Sequence, residues 1–191
     1  YVMTNGKGIS TYDIMHDSFS TLVTGKVSAM HYDKALFFAR DSRLYRYEND
    51  SARLIYQLPD QKVSINRMLR QNDSILIGTY NAGLYLLVEK TKLVHLIPKG
   101  RINDIFRDST GDIWVSCHSG EGLYLIRKGE VYNFHTMPDD KTSISSSQVH
   151  CCCEDENGDI WVGTFDGLNK YDKRTGRFTR YYKKEAEKNC L

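Results

Sequence analysis

Proline is scarce in this chain, with three residues in 191, and net charge is nearly absent, with 26 Lys and Arg against 24 Asp and Glu for a formal +2. The basic residues are interleaved with acidic ones, so there is no electrostatic footprint for nucleic acid, which is excluded as a partner on charge. Long apolar runs are also missing. The longest are short stretches such as Leu84 to Val88, far from the roughly 18 residues of a helical membrane span. Tyr1 is followed by neither a basic nor an apolar leader segment, so no targeting signal gives the location. Helical periodicity is lacking too, apart from a very polar window at Lys183 to Lys188. Catalytic motifs are equally absent: there is no G-x-S-x-G elbow and no Walker loop. Gly6-Lys7-Gly8 lacks the third glycine of a dinucleotide fingerprint, and Asp139-Asp140 reads as a loop rather than a hydrolytic pair. No catalytic residue and no cofactor is expected.

What the chain does have is 14 Gly, 13 Tyr, 7 Phe and 2 Trp, with apolar runs of four to six residues closed by Asp, Asn, Gly or Ser. That is the punctuation of short strands, and it predicts an all-β fold.

A repeat organises these strands. DENGDIWVGTFDGLNKYDKRTGRFTRYY (Asp155 to Tyr182) has a close relative in DSTGDIWVSCHSGEGLYLIRKGEVYNFHT (Asp108 to Thr136). In NDSILIGTYNAGLYLLVEKTKLVHLI, Leu76 takes the tryptophan position and Gly83-Leu84 the Gly-Leu position. Weaker copies place Phe37 and Tyr1 there, so the anchors at 1, 37, 76, 114 and 161 are 36, 39, 38 and 47 residues apart. A period near 40 is that of a four-stranded propeller blade.

Turn chemistry divides the last copy into strands at Val149 to Glu154, Ile160 to Thr164, Leu168 to Tyr171 and Phe178 to Tyr182, with Asn157-Gly158 as the first hairpin. The expectation is a β-propeller fragment of four-stranded antiparallel blades, four whole and one of three strands. The expected blades are about 1–23, 24–58, 59–98, 99–137 and 145–182, with 183–191 starting a linker to a further blade in a longer array. Gly83, Gly122 and Gly167 recur before the third strand, where a positive φ or a close chain approach excludes a Cβ.

The segment GDIWVGTFDGLNKYDKRTGRFTRYY resembles the repeat of the two-component regulator propeller family. Its Gly turn, Ile-Trp-Val-Gly-Thr strand, Gly-Leu, Tyr-Asp and aromatic fourth strand match nearly throughout. The match is good at Gly111 to Leu125 and Ile75 to Leu87, although Ser116-Cys117 replaces Gly-Thr, and the copy around Phe37 lacks both Gly-Thr and Gly-Leu. The resemblance implies a periplasmic sensor module of a hybrid two-component protein. It implies a polysaccharide-derived oligosaccharide as ligand, and further blades, signalling domains and a dimer as partners. A propeller scaffold for protein-protein interaction is the alternative. Asp172-Lys-Arg-Thr-Gly176 is similar to a motif of quinone-binding propellers, and Asp108-x-x-Gly111-x-x-Trp114 to the Asp-box of sialidases. Each is also what a tight hairpin before an aromatic strand contains.

His150-Cys151-Cys152-Cys153 invites a metal reading, which strand geometry opposes. Alternation places His150 with Cys152 on one face and Cys151 with Cys153 on the other, and no second C-x-x-C pair exists. Buried, metal-free thiols are expected at all three cysteines. With five cysteines, one stays unpaired within the chain, and compartment cannot be read from them. The other histidines show no ligand spacing. In a four-stranded meander the turn after the second strand and the linker after the fourth emerge on one face. The ligand candidates on that face are Asn5 and Lys7, Arg40 and Asp41, Tyr80 and Asn81, His118 and Glu121, and Phe165 and Asp166. They combine aromatic platforms with groups able to hydrogen-bond sugar hydroxyls.

Overall fold

The computed structural model describes residues 1–4 and 7–183. Among them there is no helix, and nineteen strands form five antiparallel sheets. The chain divides into two compact units, Tyr1–Ile97 and Pro98–Leu191.

The first unit opens with a three-stranded sheet of β1 (Val2–Thr4), β2 (Gly8–Asp13) and β3 (Ser18–Thr24). A four-stranded meander follows, made of β4 (Ala29–Asp33), β5 (Ala35–Arg40), β6 (Arg43–Glu48) and β7 (Ser51–Gln57). The third sheet is β8 (Ile65–Gln71), β9 (Ser74–Thr79), β10 (Leu84–Val88) and β11 (Lys92–Ile97). Strand β5 explains why its apolar residues are consecutive. Phe37 points into a core shared with Val63 of the β7–β8 linker and with Ile65, Ile75 and Ile77 of the following sheet, whereas Phe38 points into one shared with Ile9 and Val23 of the preceding sheet. A strand buried on both faces has no polar alternation to show.

The second unit holds two four-stranded meanders. The first is β12 (Ile102–Arg107), β13 (Ile113–Cys117), β14 (Leu123–Arg127) and β15 (Glu130–Phe134). The second is β16 (Val149–Glu154), β17 (Ile160–Thr164), β18 (Gly167–Asp172) and β19 (Arg177–Tyr181). Trp114 is fully buried against Val149, Cys152, Val162, Tyr171 and Phe178. Its ring meets Tyr171 edge-on, with centroids 5.0 Å apart. Burying an indole of this size contributes on the order of 3 kcal/mol. In β17 burial alternates instead: Ile160 and Val162 are buried, whereas Trp161 and Gly163 are half-buried. One face of this sheet packs on β12–β15 and the other is open.

The β12–β13 hairpin is tied by Asp108. Its Oδ1 accepts the Thr110 and Asp112 amides, both at 3.0 Å, and the Thr110 hydroxyl at 2.7 Å. Its Oδ2 accepts Trp114 Nε1 at 3.0 Å and lies 3.1 Å from Lys173 Nζ, on the β18–β19 turn of the neighbouring sheet. Lys173 also bonds Glu154 Oε1 at 2.9 Å, and Glu154 accepts the Ser109 amide at 2.6 Å and the Ser109 hydroxyl at 2.8 Å. The two sheets are thus latched by crossed bonds, lysine one way and serine the other. The Asp155 hairpin repeats the tie, with the Asn157 and Asp159 amides on Oδ1 and Trp161 Nε1 on Oδ2 at 2.7 Å.

Before the third strand, Gly122 (φ +81) and Gly167 (φ +94) sit where a Cβ would come within 2.2 Å of Phe134 O and 2.5 Å of Tyr181 O. Close approach of the fourth strand therefore enforces glycine, beyond the positive φ. Gly111, at φ +89, has open space where its Cβ would stand. Gly167→Ala should therefore cost about 3 kcal/mol and Gly111→Ala about 1 kcal/mol, compared by urea denaturation.

Burial of Asp108 alone would raise its pKa, but the bonds from Thr110, Trp114 and Lys173 outweigh it and hold the carboxyl at about 2, against an ordinary 3.8. Because the folded-state value is the lower one, the stabilisation is complete above about pH 4 and is lost as pH falls toward 2. It amounts to about 2 kcal/mol. The unfolding free energy, from urea denaturation at pH 5 and at pH 2, should fall by that much more in the native chain than in Asp108→Asn.

Candidate functional site

Each unit carries a rim where the turn after a sheet's second strand meets the linker between sheets. In the first unit, Arg40 and Asp41 lie at the β5–β6 turn and Tyr80 and Asn81 at the β9–β10 turn. The linker between β7 and β8 joins them, since Ile65 N donates to Asp41 O at 2.8 Å and Tyr80 N to Ser64 O at 2.9 Å. The Arg40 guanidinium is bonded to Thr24 O and lies 5.7 Å from the Phe38 ring, which occupies it structurally. Asp41 adopts φ +50, and its carboxylate is 3.8 Å from Lys26. Tyr80 is 54% exposed and Asn81 is exposed. Lys7 is exposed at the β1–β2 turn, and Asn5 lies outside the described residues.

The second unit repeats the arrangement. His118 N donates to Arg101 O at 3.0 Å, Gly122 N to Ser147 O at 3.0 Å and Phe165 N to Gln148 O at 2.9 Å, so the linker before β16 joins the β13–β14 and β17–β18 turns. Phe165 is 73% exposed and Asp166 is exposed beside it. The Glu121 carboxylate is committed to Lys99 at 3.2 Å. The structure thus brings Arg40, Asp41, Tyr80 and Asn81 to one rim and His118, Glu121, Phe165 and Asp166 to another. Arg40 and Glu121 are engaged by the protein itself, whereas Phe165 presents an exposed ring and Tyr80 is more than half exposed.

Sequence spacing missed the proximity of His118 and His150, whose rings are 5.5 Å apart across the mouth of this rim. It also missed His95, which stacks on Tyr85 with centroids 4.0 Å apart and places Nε2 2.8 Å from Ala82 O, steadying the Tyr80 turn. A buried network of Ser145, Thr164 and Asn169 fixes the Phe165 turn. Asn169 Oδ1 accepts Ser145 N at 2.9 Å, and the Ser145 and Thr164 hydroxyls are 2.8 Å apart. Only the Gly-Thr pair of the repeat signals it in sequence.

Two grooves lie away from these rims. One, of about 500 Å³ in the second unit, is lined by Phe134, Met137, Ile144, Arg177 and Phe178. The other, of about 490 Å³ in the first unit, is lined by Phe37, Arg46, Arg70, Asp73 and Glu89. Neither includes a candidate rim residue.

The expectation of three buried thiols is corrected by the structure. Cys152 is buried, but Cys151 and Cys153 are exposed, because they lie on the open face of the β16–β19 sheet. A register shift between Val149 and Cys151 leaves Val149 and Cys152 buried together and His150 exposed. Burial pushes the Cys152 thiol up to about 12 despite its contact with Ser116, and burial with the nearby Glu121 charge does the same to Cys117. Among the described residues no group of three or more His, Cys, Asp or Glu is placed to hold a metal ion.

Residues 143–166 match the model of the two component regulator propeller. No curated protein matches the chain in sequence. Among solved structures, the chain is similar to one described as the extracellular domain of a hybrid two component system, BT3049, from B. thetaiotaomicron. The TM-score is 0.72 at 18% identity, covering 96% of this chain and 26% of that one. A second such extracellular domain, BT4673 from the same organism, gives a TM-score of 0.70 at 16% identity, covering 94% and 25%. Virginiamycin B lyase from Staphylococcus aureus gives 0.63 at 11% identity, covering 84% and 56%. The chain thus spans about a quarter of the length of those extracellular domains. The fold is that of a β-propeller, seen here as four four-stranded blades and one of three strands, and it includes a two component regulator propeller repeat.

Thiol exposure is checked by brief iodoacetamide treatment of the native protein followed by peptide mapping. Cys151 and Cys153 should be alkylated at least about tenfold faster than Cys117 and Cys152.

Proposed function

We propose that the chain is part of an extracytoplasmic ligand-sensing propeller of a hybrid two-component signalling protein, acting by binding rather than catalysis. The observation that carries this reading is the regulator-propeller match at residues 143–166, set in a fold shared with two extracellular domains of such systems. In this reading the protein lies in the periplasm, and the partners are further blades, signalling domains and a second copy in a dimer. The ligand is an oligosaccharide derived from a polysaccharide. It is bound at the rims, where Tyr80 and Phe165 offer ring faces and Asn81, His118 and Asp166 offer hydrogen-bonding groups.

The rims suit binding because their backbones are held by peptide hydrogen bonds. A site fixed in this way loses little conformational entropy when a ligand docks. The test uses the complete sensor, with oligosaccharide affinity by calorimetry and signalling by a reporter. Combined alanine replacement of Tyr80, His118 and Phe165 should weaken binding at least about tenfold, since a lost ring contact is worth about 1 kcal/mol each. Unchanged affinity and signalling, with loss on replacing residues of the opposite hairpins, would refute the rim assignment.

A further inference from the structure

We infer that His118 and His150 form a two-histidine site for a divalent transition-metal ion of the zinc or nickel kind, at the rim of the second unit. The inference rests on strand geometry and not on the sensor reading. In this unit the β12–β15 and β16–β19 sheets face each other through matched side chains, and Ser116 Oγ lies 3.6 Å from Cys152 Sγ in the buried part of the interface. Side chains two residues apart along a strand share a face. The next pair toward the rim is therefore His118, two residues after Ser116, and His150, two residues before Cys152. Their ring centroids are 5.5 Å apart, with the planes inclined at 41°. His95, by contrast, stacks on Tyr85 at 4.0 Å and 12°. The histidine pair is too far apart and too tilted for such a stack. It does suit a shared ion, because metal–nitrogen bonds of about 2.1 Å in the plane of each ring, at a tetrahedral angle, set the ring centres about 5 Å apart.

A second observation points the same way. His118 Nδ1 is buried and has no hydrogen-bond partner among the described residues. A buried ring nitrogen left unpaired is costly to the fold, and a metal bond is one way to satisfy it. His150, across the interface, is exposed, so an ion can enter from solvent. Both residues are held by their backbones. His118 N donates to Arg101 O at 3.0 Å, and Asn103 Nδ2 donates to Val149 O at 2.9 Å, which ties the residue beside His150 to β12. Ligands fixed in this way need little ordering when the ion binds. Imidazole selects the ion: zinc, nickel and copper accept it, whereas calcium and magnesium require oxygen. The thiols of β16 do not take part, because Cys152 faces Ser116 and Cys151 and Cys153 lie on the open face of the sheet. Among the described residues no third His, Cys, Asp or Glu closes the site. The remaining positions of a tetrahedral ion are then left to water or to an oxygen of an incoming ligand.

The test titrates zinc chloride into the chain carrying Cys151→Ser, Cys153→Ser and Cys190→Ser, so that these thiols do not compete. Imidazole resonances are followed by NMR before any histidine is replaced. Those of His118 and His150 should shift together, and those of His95, whose Nε2 is 2.8 Å from Ala82 O, should stay in place. A shift of only one of the pair, or of neither, would overturn the site. Calorimetry on the same chain should give about one equivalent of zinc at the pair, with no competition from magnesium. His118→Ala and His150→Ala should each weaken that binding at least about tenfold, since either one removes the chelate. Affinity unchanged by both replacements would place the ion elsewhere, the exposed His16 and Asp13 pair being the first alternative. Two equivalents, of which each replacement removes one and leaves the other's affinity intact, would show separate ions and overturn the shared site. None of these results involves an oligosaccharide, so failure here is separable from failure of the sensor reading.

Discussion

Two successive sheets in a propeller touch mainly through apolar side chains, which attract without direction, so something polar has to set how one sheet sits on the next. In the second unit that constraint is the Asp108 carboxylate. It fixes the β12–β13 hairpin through Thr110 and Asp112, orients the Trp114 indole through Nε1, and receives Lys173 from the neighbouring sheet. The same group therefore sets the local turn, the rotamer of the largest core side chain and the register between sheets. Its side chain is fully buried, and a buried charge left without its partners is strongly destabilising, so each bond depends on the others being made. The tryptophan packs against Tyr171, and Phe134 and Phe178 extend the aromatic cluster. The rim at the other end of the sheets inherits its geometry from that alignment.

The first unit places a charge pair at the corresponding position with the polarity reversed. Glu154 is paired with Ile160, the residue before Trp161, and Arg70 is paired in the same way with Ile75, the residue before Leu76. Arg70 reaches back to Asp33, with Nη1 3.9 Å from Oδ2 and 3.4 Å from the carbonyl, and its guanidinium lies 5.8 Å from the Phe37 ring. Glu89 follows Val88 where Lys173 follows Asp172. Each pair alone contributes little at a half-exposed site. Their opposite polarity still matters, because sheets brought together in the wrong order would oppose like charges beneath a common apolar surface. In a chain built of similar repeats, apolar complementarity cannot distinguish one neighbour from another, and the ion pairs can.

The sequence made the sheets legible for a simple reason: the features that reveal them are local. The Asn157-Gly158 hairpin, the glycines forced by close approach at 122 and 167, and consecutive apolar residues in β5, β9 and β13 all act within about ten residues. The latch was visible only as a turn motif, since Lys173 and Asp108 belong to different sheets and no spacing rule connects them. Cysteine exposure was misread because both faces of the sheet were taken as covered, whereas Cys151 and Cys153 lie on its open face. The rims were located by strand direction, but the placement of His150 beside His118 joins two different sheets and had no sequence signal.

Ligand identity is the least legible feature, and the hydrogen bonding explains why. At each rim the chain is held by peptide groups: Ile65 to Asp41, Tyr80 to Ser64, His118 to Arg101 and Phe165 to Gln148. A bond from a peptide N–H to a carbonyl exists whatever side chain the residue carries. The fold therefore demands little of the side chains at 81, 165 and 166, in contrast to 108, 122, 167 and 173, where a single atom type or its absence is required. The repeat leaves its pattern where structure constrains composition and falls silent where recognition is free to vary. Positions without pattern, held on a patterned backbone, are where a repeat protein can change its ligand without changing its fold.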